Sequence, residues 1–166
     1  MYVRGASNTR AVALNTANVK NRISIIARAV YGEAEGQSLE EKRWVAWTIR
    51  NRVEDRKHFP QFSNPRSFGT AVKKDYKGYS RSINRNSKAW AESLQAAHEA
   101  HFAPRSKDPT HNSTFFYARR RANPKGITEK EANSSNINKR FGTNAKLLRT
   151  DKNKNFAHFF FRIFGR

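Results

Sequence analysis

The chain contains no cysteine among its 166 residues, which excludes disulfides, thiol catalysis and cysteine-zinc sites. It has one methionine, five prolines and eight glycines. No apolar run exceeds four residues, too short to span a bilayer. The start, Met1-Tyr2-Val3-Arg4-Gly5, lacks the apolar stretch of a secretory signal, so synthesis without a signal peptide is expected. The largest shortage is of negative charge: 13 Asp and Glu stand against 33 Lys and Arg, for a net charge of +20. Sixteen of the cations and seven of the acids fall in residues 1–83, seventeen and six in 84–166. The charge is therefore a property of the whole body and not of a basic tail. A field of that sign implies an anionic partner: nucleic acid, an anionic membrane, or a bacterial envelope rich in phosphate and carboxylate.

Against these absences stand 12 Phe, 5 Tyr and 3 Trp, enough aromatic surface to build the core of one domain at this length. Residues 1–20 are small and polar without a sustained period and are expected as a flexible arm, leaving 21–166 as a single domain. Ile23, Ile26, Ala27, Val30 and Tyr31 then recur at helical spacing. Ser38-Leu39-Glu40-Glu41 has the form of a capping box opening a second helix, with Trp44, Val45, Thr48, Ile49 and Val53 on one face. Residues 57–86, with Pro60, Pro65, Gly69 and Gly78, predict a long irregular segment, a type that is often functional. A third helix is expected from about Ser87, with Trp90, Leu94, Ala97, His101 and Phe102 as its apolar positions. The aromatic runs Thr114–Tyr117 and Phe156–Phe161 have strand character, and Thr128-x-x-Glu131 is a second capping pattern in the basic segment between them. Helices first and short strands late predict the α+β class.

Glu33, in Tyr31-Gly32-Glu33-Ala34-Glu35-Gly36-Gln37, stands where the first amphipathic helix runs into a glycine-punctuated turn. A carboxyl group partly withdrawn from water beside an apolar helix face is the kind of group that serves as a general acid. The surrounding pattern Ile26-Ala27-Arg28-Ala29-Val30-Tyr31-Gly32-Glu33-Ala34 resembles the signature of SleB-type cell wall hydrolases, the spore-cortex-lytic group and its bacterial and phage relatives. Val45-Ala46-Trp47-Thr48-Ile49-Arg50-Asn51-Arg52-Val53 is similar to that family's helix ending in Asn-Arg-Val, and Phe59-Pro60 follows at the family's distance. Gly78-Tyr79-Ser80 stands where the family has Gln-Phe-Ser, and Phe115-Phe116-Tyr117 and His158-Phe159-Phe160-Phe161 resemble its late aromatic strands. Glu35 and Gln37 depart from the family's usual Arg and second Glu.

The resemblance implies a mainly helical, lysozyme-like domain with a few short strands flanking a glycan cleft. It further implies cleavage of the β-1,4 bond between N-acetylmuramic acid and N-acetylglucosamine in peptidoglycan, with Glu33 as general acid and base. Glu35, Tyr79, Ser80, Tyr117 and His158 are the expected substrate-binding residues. Glycoside cleavage passes through an oxocarbenium-like state and needs a proton delivered to the leaving oxygen. The second group is either another carboxylate, for which Asp75 and Asp108 are candidates, or the substrate's own 6-hydroxyl, as in a lytic transglycosylase. No metal or cofactor is expected: His98 and His101 stand at i, i+3, with His111 beyond, but no HExxH-type string supports a site. Trp44, Trp47 and Trp90 have core spacing, and one of them is a candidate to stack on a sugar.

The expected partners are peptidoglycan glycan strands and anionic envelope polymers or lipopolysaccharide, reached by a monomer. The expected setting is a phage lysin or virion-associated lysin acting on the wall in the periplasm or outside the cell. Nonspecific nucleic-acid binding is an expected by-product of the charge. The rival expectation is a basic nucleic-acid-binding protein, or a phage structural protein keeping an inactive lysin fold, with Arg119-Arg120-Arg121 on phosphates.

Overall fold

A 30-residue helix, α1 (Gly5–Ala34), is the longest element of the computed structural model. The model describes residues 5–133, 137, 145–148 and 153–163, with side chains from Thr16 to Arg162 within those ranges. Residues 5–20, expected as an arm, are thus helical. Their lack of periodicity hid this, but Ala6, Ala11, Ala13 and Ala17 carry high helix propensity without an apolar stripe. From Ile26 onward α1 buries its apolar face completely, Ala27, Ala29 and Val30 having no exposed surface.

The second helix, α2 (Leu39–Glu54), begins at the expected N-cap, where Ser38 Oγ accepts the Glu41 N–H at 3.2 Å. The other arm of the expected capping box is absent. Glu41 instead turns its carboxylate to the far end of the chain, accepting the Ala157 N–H at 3.0 Å and bonding His158 Nδ1 at 2.7 Å. Helix α5 (Lys88–Phe102) starts at the expected Ser87 cap, its Oγ on the Trp90 N–H. Helices α1, α2 and α5 pack pairwise and form the main core. Phe102, expected on the buried face, is 57% exposed, because the helix ends there and α1 and α2 no longer cover it.

The segment 57–86 is more regular than its prolines and glycines predict. It holds α3 (Pro60–Ser63), α4 (Phe68–Asp75) and a 3-10 turn, Lys77–Ser80. Pro60 and Phe68 account for this: one starts a helix at its first turn, where a missing N–H costs nothing, and the other anchors α4 in the core together with Val72.

Three strands, β1 (Phe115–Ala118), β2 (Ala145–Leu148) and β3 (His158–Ile163), form an antiparallel sheet in the order β1-β3-β2. The run Phe159-Phe160-Phe161 is buried on both faces. Phe160, paired with Phe116, packs on the helices, while Phe159 and Phe161 pack on a second cluster of Ile127, Ala132 and Ile137. The expected Thr128–Glu131 capping box forms in full and opens α6 (Glu129–Ala132). Mixed helix and strand in this order is the α+β class. No described helix is long and apolar enough to cross a membrane.

Candidate active site

Glycine at positions 32 and 78 lets the end of α1 and the 3-10 turn touch backbone to backbone. A Cβ added at either residue would come within 2.8 Å of three backbone atoms of the other, closer than real Cβ contacts allow. This approach presents the Gly78 N–H to Glu33, whose Oε1 accepts it at 2.7 Å. The contact is reinforced one turn earlier, where Arg28 Nε donates to the Tyr79 carbonyl at 2.9 Å and its guanidinium lies 5.2 Å from the Tyr79 ring centroid. Tyr31-Gly32-Glu33 is therefore one device. The tyrosine is buried against Trp90, the glycine admits the turn, and the glutamate receives its amide.

Glu33 is half-buried, and its bonding sets it apart from the other acids. Of the twelve described Asp and Glu residues, eleven are hydrogen-bonded or ion-paired to a side chain. Glu40 and Glu99 meet Arg43, Glu54 meets Arg50, Asp55 meets His58, and Glu92 meets Lys42. Glu129 and Glu131 meet Arg119 and Arg120, and Glu41 meets His158. Glu33 alone has only a backbone partner among the described residues. Glu33, Glu35 and Asp108 are the described acids without a basic partner, and of these only Glu33 also lacks a bond to any side chain.

The two expected alternatives for a second acid are engaged elsewhere. Asp75 Oδ2 accepts from Arg52 at 2.9 Å. Asp108 accepts from Thr110, Asn112 and Asn51 with both oxygens. These bonds also explain Asn51-Arg52. Asn51 Nδ2 additionally donates to the Thr110 hydroxyl and the Ser113 carbonyl, tying α2 to the loop before β1. Arg52 is 6% exposed. Its Nε donates to the Thr114 carbonyl at 2.6 Å, and the rings of Phe59, Phe62, Tyr76 and Phe115 surround its guanidinium. The pair is thus a clamp that fixes the loop before β1 and the end of α4 to α2.

Tyr76 stands between these groups. Burial pushes its phenol above the ordinary range, the Arg52 guanidinium opposes this, and the charges of Asp75 and Glu33 add to it. Its ring packs against Phe116 of β1 at 5.8 Å, and Phe116 packs edge-on against His158 at 5.1 Å.

The expected substrate-binding residues scatter. Tyr79 and Ser80 stand beside Gly78 on the turn that holds Glu33, Tyr79 half-buried and Ser80 exposed. Glu35 is exposed and bonds the Tyr31 hydroxyl at 2.7 Å. Tyr117 lies on the sheet face opposite Phe116, against the second cluster, so strand alternation turns it from the helical face. His158 is buried between Glu41 and Phe116, the arrangement of a satisfied core histidine. All three tryptophans are buried, which removes them as sugar platforms. His98 and His101 both pack on the Phe102 ring. Of the residues that build the site, Tyr76 went unnamed in the sequence reading, and Gly32, Gly78 and Arg28 entered only as parts of patterns without a role of their own. The glycine of Tyr-Gly-Glu was a signal for close approach, but its partner 46 residues on was not legible.

Comparison with protein-family models, with curated proteins and with solved structures returned no match.

Proposed function

We propose that the chain is a peptidoglycan glycosidase that cleaves the N-acetylmuramic acid β-1,4 N-acetylglucosamine bond, with Glu33 as its acid and base. The observation that carries this reading is the isolation of Glu33: a half-buried carboxylate with no side-chain partner among the described residues, oriented by a single backbone amide. That amide also assigns the two oxygens. Oε1 accepts the Gly78 N–H, which leaves Oε2 to carry the proton toward the glycosidic oxygen. As the bond to the leaving sugar breaks, Oε2 gives up its proton and the resulting carboxylate keeps the amide bond.

With Asp75 and Asp108 held by other side chains, one-carboxylate chemistry is the form that suits the site. Glu33 then withdraws the proton of the muramic acid 6-hydroxyl, whose oxygen closes on C1 to give a 1,6-anhydro end. A muramidase would need one of those aspartates to leave its partner. The +20 charge serves to hold the enzyme on phosphate- and carboxylate-bearing envelope polymers, an attraction that salt screens. A phage or virion-associated lysin fits this economy of parts.

The nucleic-acid alternative has less support. Arg119 lies 4.0 Å from the Phe159 ring centroid and pairs with Glu129, Arg120 pairs with Glu131, and Arg121 donates to the Phe156 carbonyl. All three arginines of that run are bonded within the fold.

The test is turbidity clearing of purified peptidoglycan by wild type and Glu33→Gln. The amide Oε1 can still accept the Gly78 N–H, so the variant keeps its fold, while clearing falls by about 10²–10⁴-fold. Clearing that survives the substitution refutes Glu33 as the acid. Absence of clearing by the wild type on several wall types refutes the glycosidase. Mass analysis of the products separates 1,6-anhydro from reducing ends.

A further inference from the structure

A groove of about 700 Å³ lies along α1 and is bounded by the loop into α4. None of its thirteen lining residues is acidic, while Arg22, Arg66, Lys73 and His101 all face it. Arg22 lies over the Phe68 ring at 4.8 Å and is half-buried, and no carboxylate pairs with it, Arg66 or Lys73 among the described residues. Most other buried or half-buried arginines here are matched to an acid or a carbonyl, so a half-buried guanidinium without either is a site waiting for an anion. Burial lowers the affinity of both Arg22 and His101 for their protons, with Arg22 itself adding to the effect on His101. A bound anion would relieve both.

The groove meets the proposed catalytic site at Tyr79. This residue lines the groove and follows Gly78, whose amide holds Glu33. From the level of Arg28, which contacts Tyr79, to Asn18 at the far end the α1 axis runs about 15 Å. An extended peptide of four or five residues spans about 13–18 Å. Given the glycosidase reading above, on which this step rests, we propose that the groove binds the carboxylate-bearing peptide stem of the muramic acid residue at the cleavage point. The stem leaves the sugar beside Glu33, passes Tyr79 and lays its carboxylates against Arg22, Lys73 and Arg66. The cations of the groove thereby select cross-link-free stems with charged ends over amidated ones.

Calorimetric titration of the full chain with the free tetrapeptide L-Ala-γ-D-Glu-meso-diaminopimelyl-D-Ala tests this without requiring bond cleavage. Wild type binds it saturably. Arg22→Ala/Lys73→Ala binds about tenfold or more weakly, the loss of one to two charge-assisted contacts. Arg56→Ala/Lys57→Ala, which removes the same charge from exposed positions outside the groove, binds within about twofold of wild type by that same account. Arg22→Lys retains binding and guards against a folding artefact. No saturable binding by wild type, equal losses in the two double variants, or undiminished binding of the fully amidated peptide overturns the proposal. Failure of the Glu33 assignment shows in the clearing assay instead and leaves this titration standing.

Discussion

Replacing Gly78 by alanine tests the backbone contact on which the site depends. Of the three Gly32 atoms nearest to the new Cβ, the farthest is only 2.8 Å away and all belong to the backbone. No side-chain rotation can relieve such a clash, so the 3-10 turn must move off α1 by about 1 Å to reach ordinary van der Waals separation. That movement stretches the 2.7 Å bond from Gly78 N–H to Glu33 and the 2.9 Å bond from Arg28 to the Tyr79 carbonyl. Overpacking of this kind costs about 1–3 kcal/mol and each of the two net hydrogen bonds about 1 kcal/mol, so a loss of about 3–5 kcal/mol is expected. A displacement of about 1 Å at the acid should lower the clearing rate by about 10²-fold. Gly36→Ala is the control, since a Cβ there meets nothing within 4 Å and its backbone is outside the left-handed region. Its stability should stay within about 0.5 kcal/mol of wild type or rise slightly. Urea unfolding and turbidity clearing measured on both variants decide the matter. Wild-type behaviour of Gly78→Ala, or equal damage from Gly36→Ala, would show that the Gly32–Gly78 contact does not position Glu33.

Other perturbations probe the supports of the site. Arg52→Ala strands Asp75 and the Thr114 carbonyl and opens a space among four rings. It should cost about 3–5 kcal/mol in urea unfolding, with Arg52→Lys recovering only part because one ammonium cannot serve both directions; a loss below about 0.5 kcal/mol would mean that the clamp is not needed. Lys42 and Arg43, through hydrogen bonds, hold the carboxyls of Glu92 and Glu99 below their ordinary 4.5. Their contribution is therefore present above that value and lost as pH falls through the depressed folded values, so the unfolding midpoint should drop in acid and drop less in Glu92→Gln. Burial, then Arg22, Arg50 and His98, lower His101 from 6.5. The unfolded state binds its proton more readily, so stability should decline as pH falls below 6.5 and His101→Asn should flatten that part of the profile. An unchanged slope would place the titrating group elsewhere.

How far the sequence reaches depends on whether a feature is local. Helical periodicity and Ser caps place α2 and α5, and the Thr128–Glu131 box opens α6, because each needs only neighbours within four residues. Glu41 shows where locality ends. It stands at the capping-box position, yet its carboxylate bridges 117 residues to His158, a tertiary bond that outcompetes the local one. The same bond buries His158, and strand alternation turns Tyr117 toward the second cluster. Strand β2 (Ala145–Leu148) has a short Ala-Lys-Leu-Leu sequence with no alternation to reveal it; the already buried β3 supplies its reason to be a strand. Glu33 itself was legible from its place at a helix end, but its lack of a side-chain partner among the described residues was not.

That isolation has a physical cost, and the fold shows how it is met. Most other described acids here pair with a basic side chain, whereas the partial burial of Glu33 is offset by one backbone amide alone. The arrangement holds because the surroundings of Glu33 are backbone and aromatic: Gly32 and Gly78 bring the amide, and Tyr31, Trp90 and Tyr76 fill the buried ground behind it. Arg28, the nearest cation along α1 on the side of the turn, is turned onto the Tyr79 carbonyl and ring. Were Arg28 released, its guanidinium could reach the end of α1 and pair with Glu33, which would engage the oxygen that the proposed reaction needs free. Arg28→Ala should therefore loosen the turn, and Arg28→Lys, free of the planar fork that fixes it to Tyr79, should depress clearing more than Arg28→Gln does. The reverse order would show that Arg28 acts only as a brace and that its charge is not being kept from the acid.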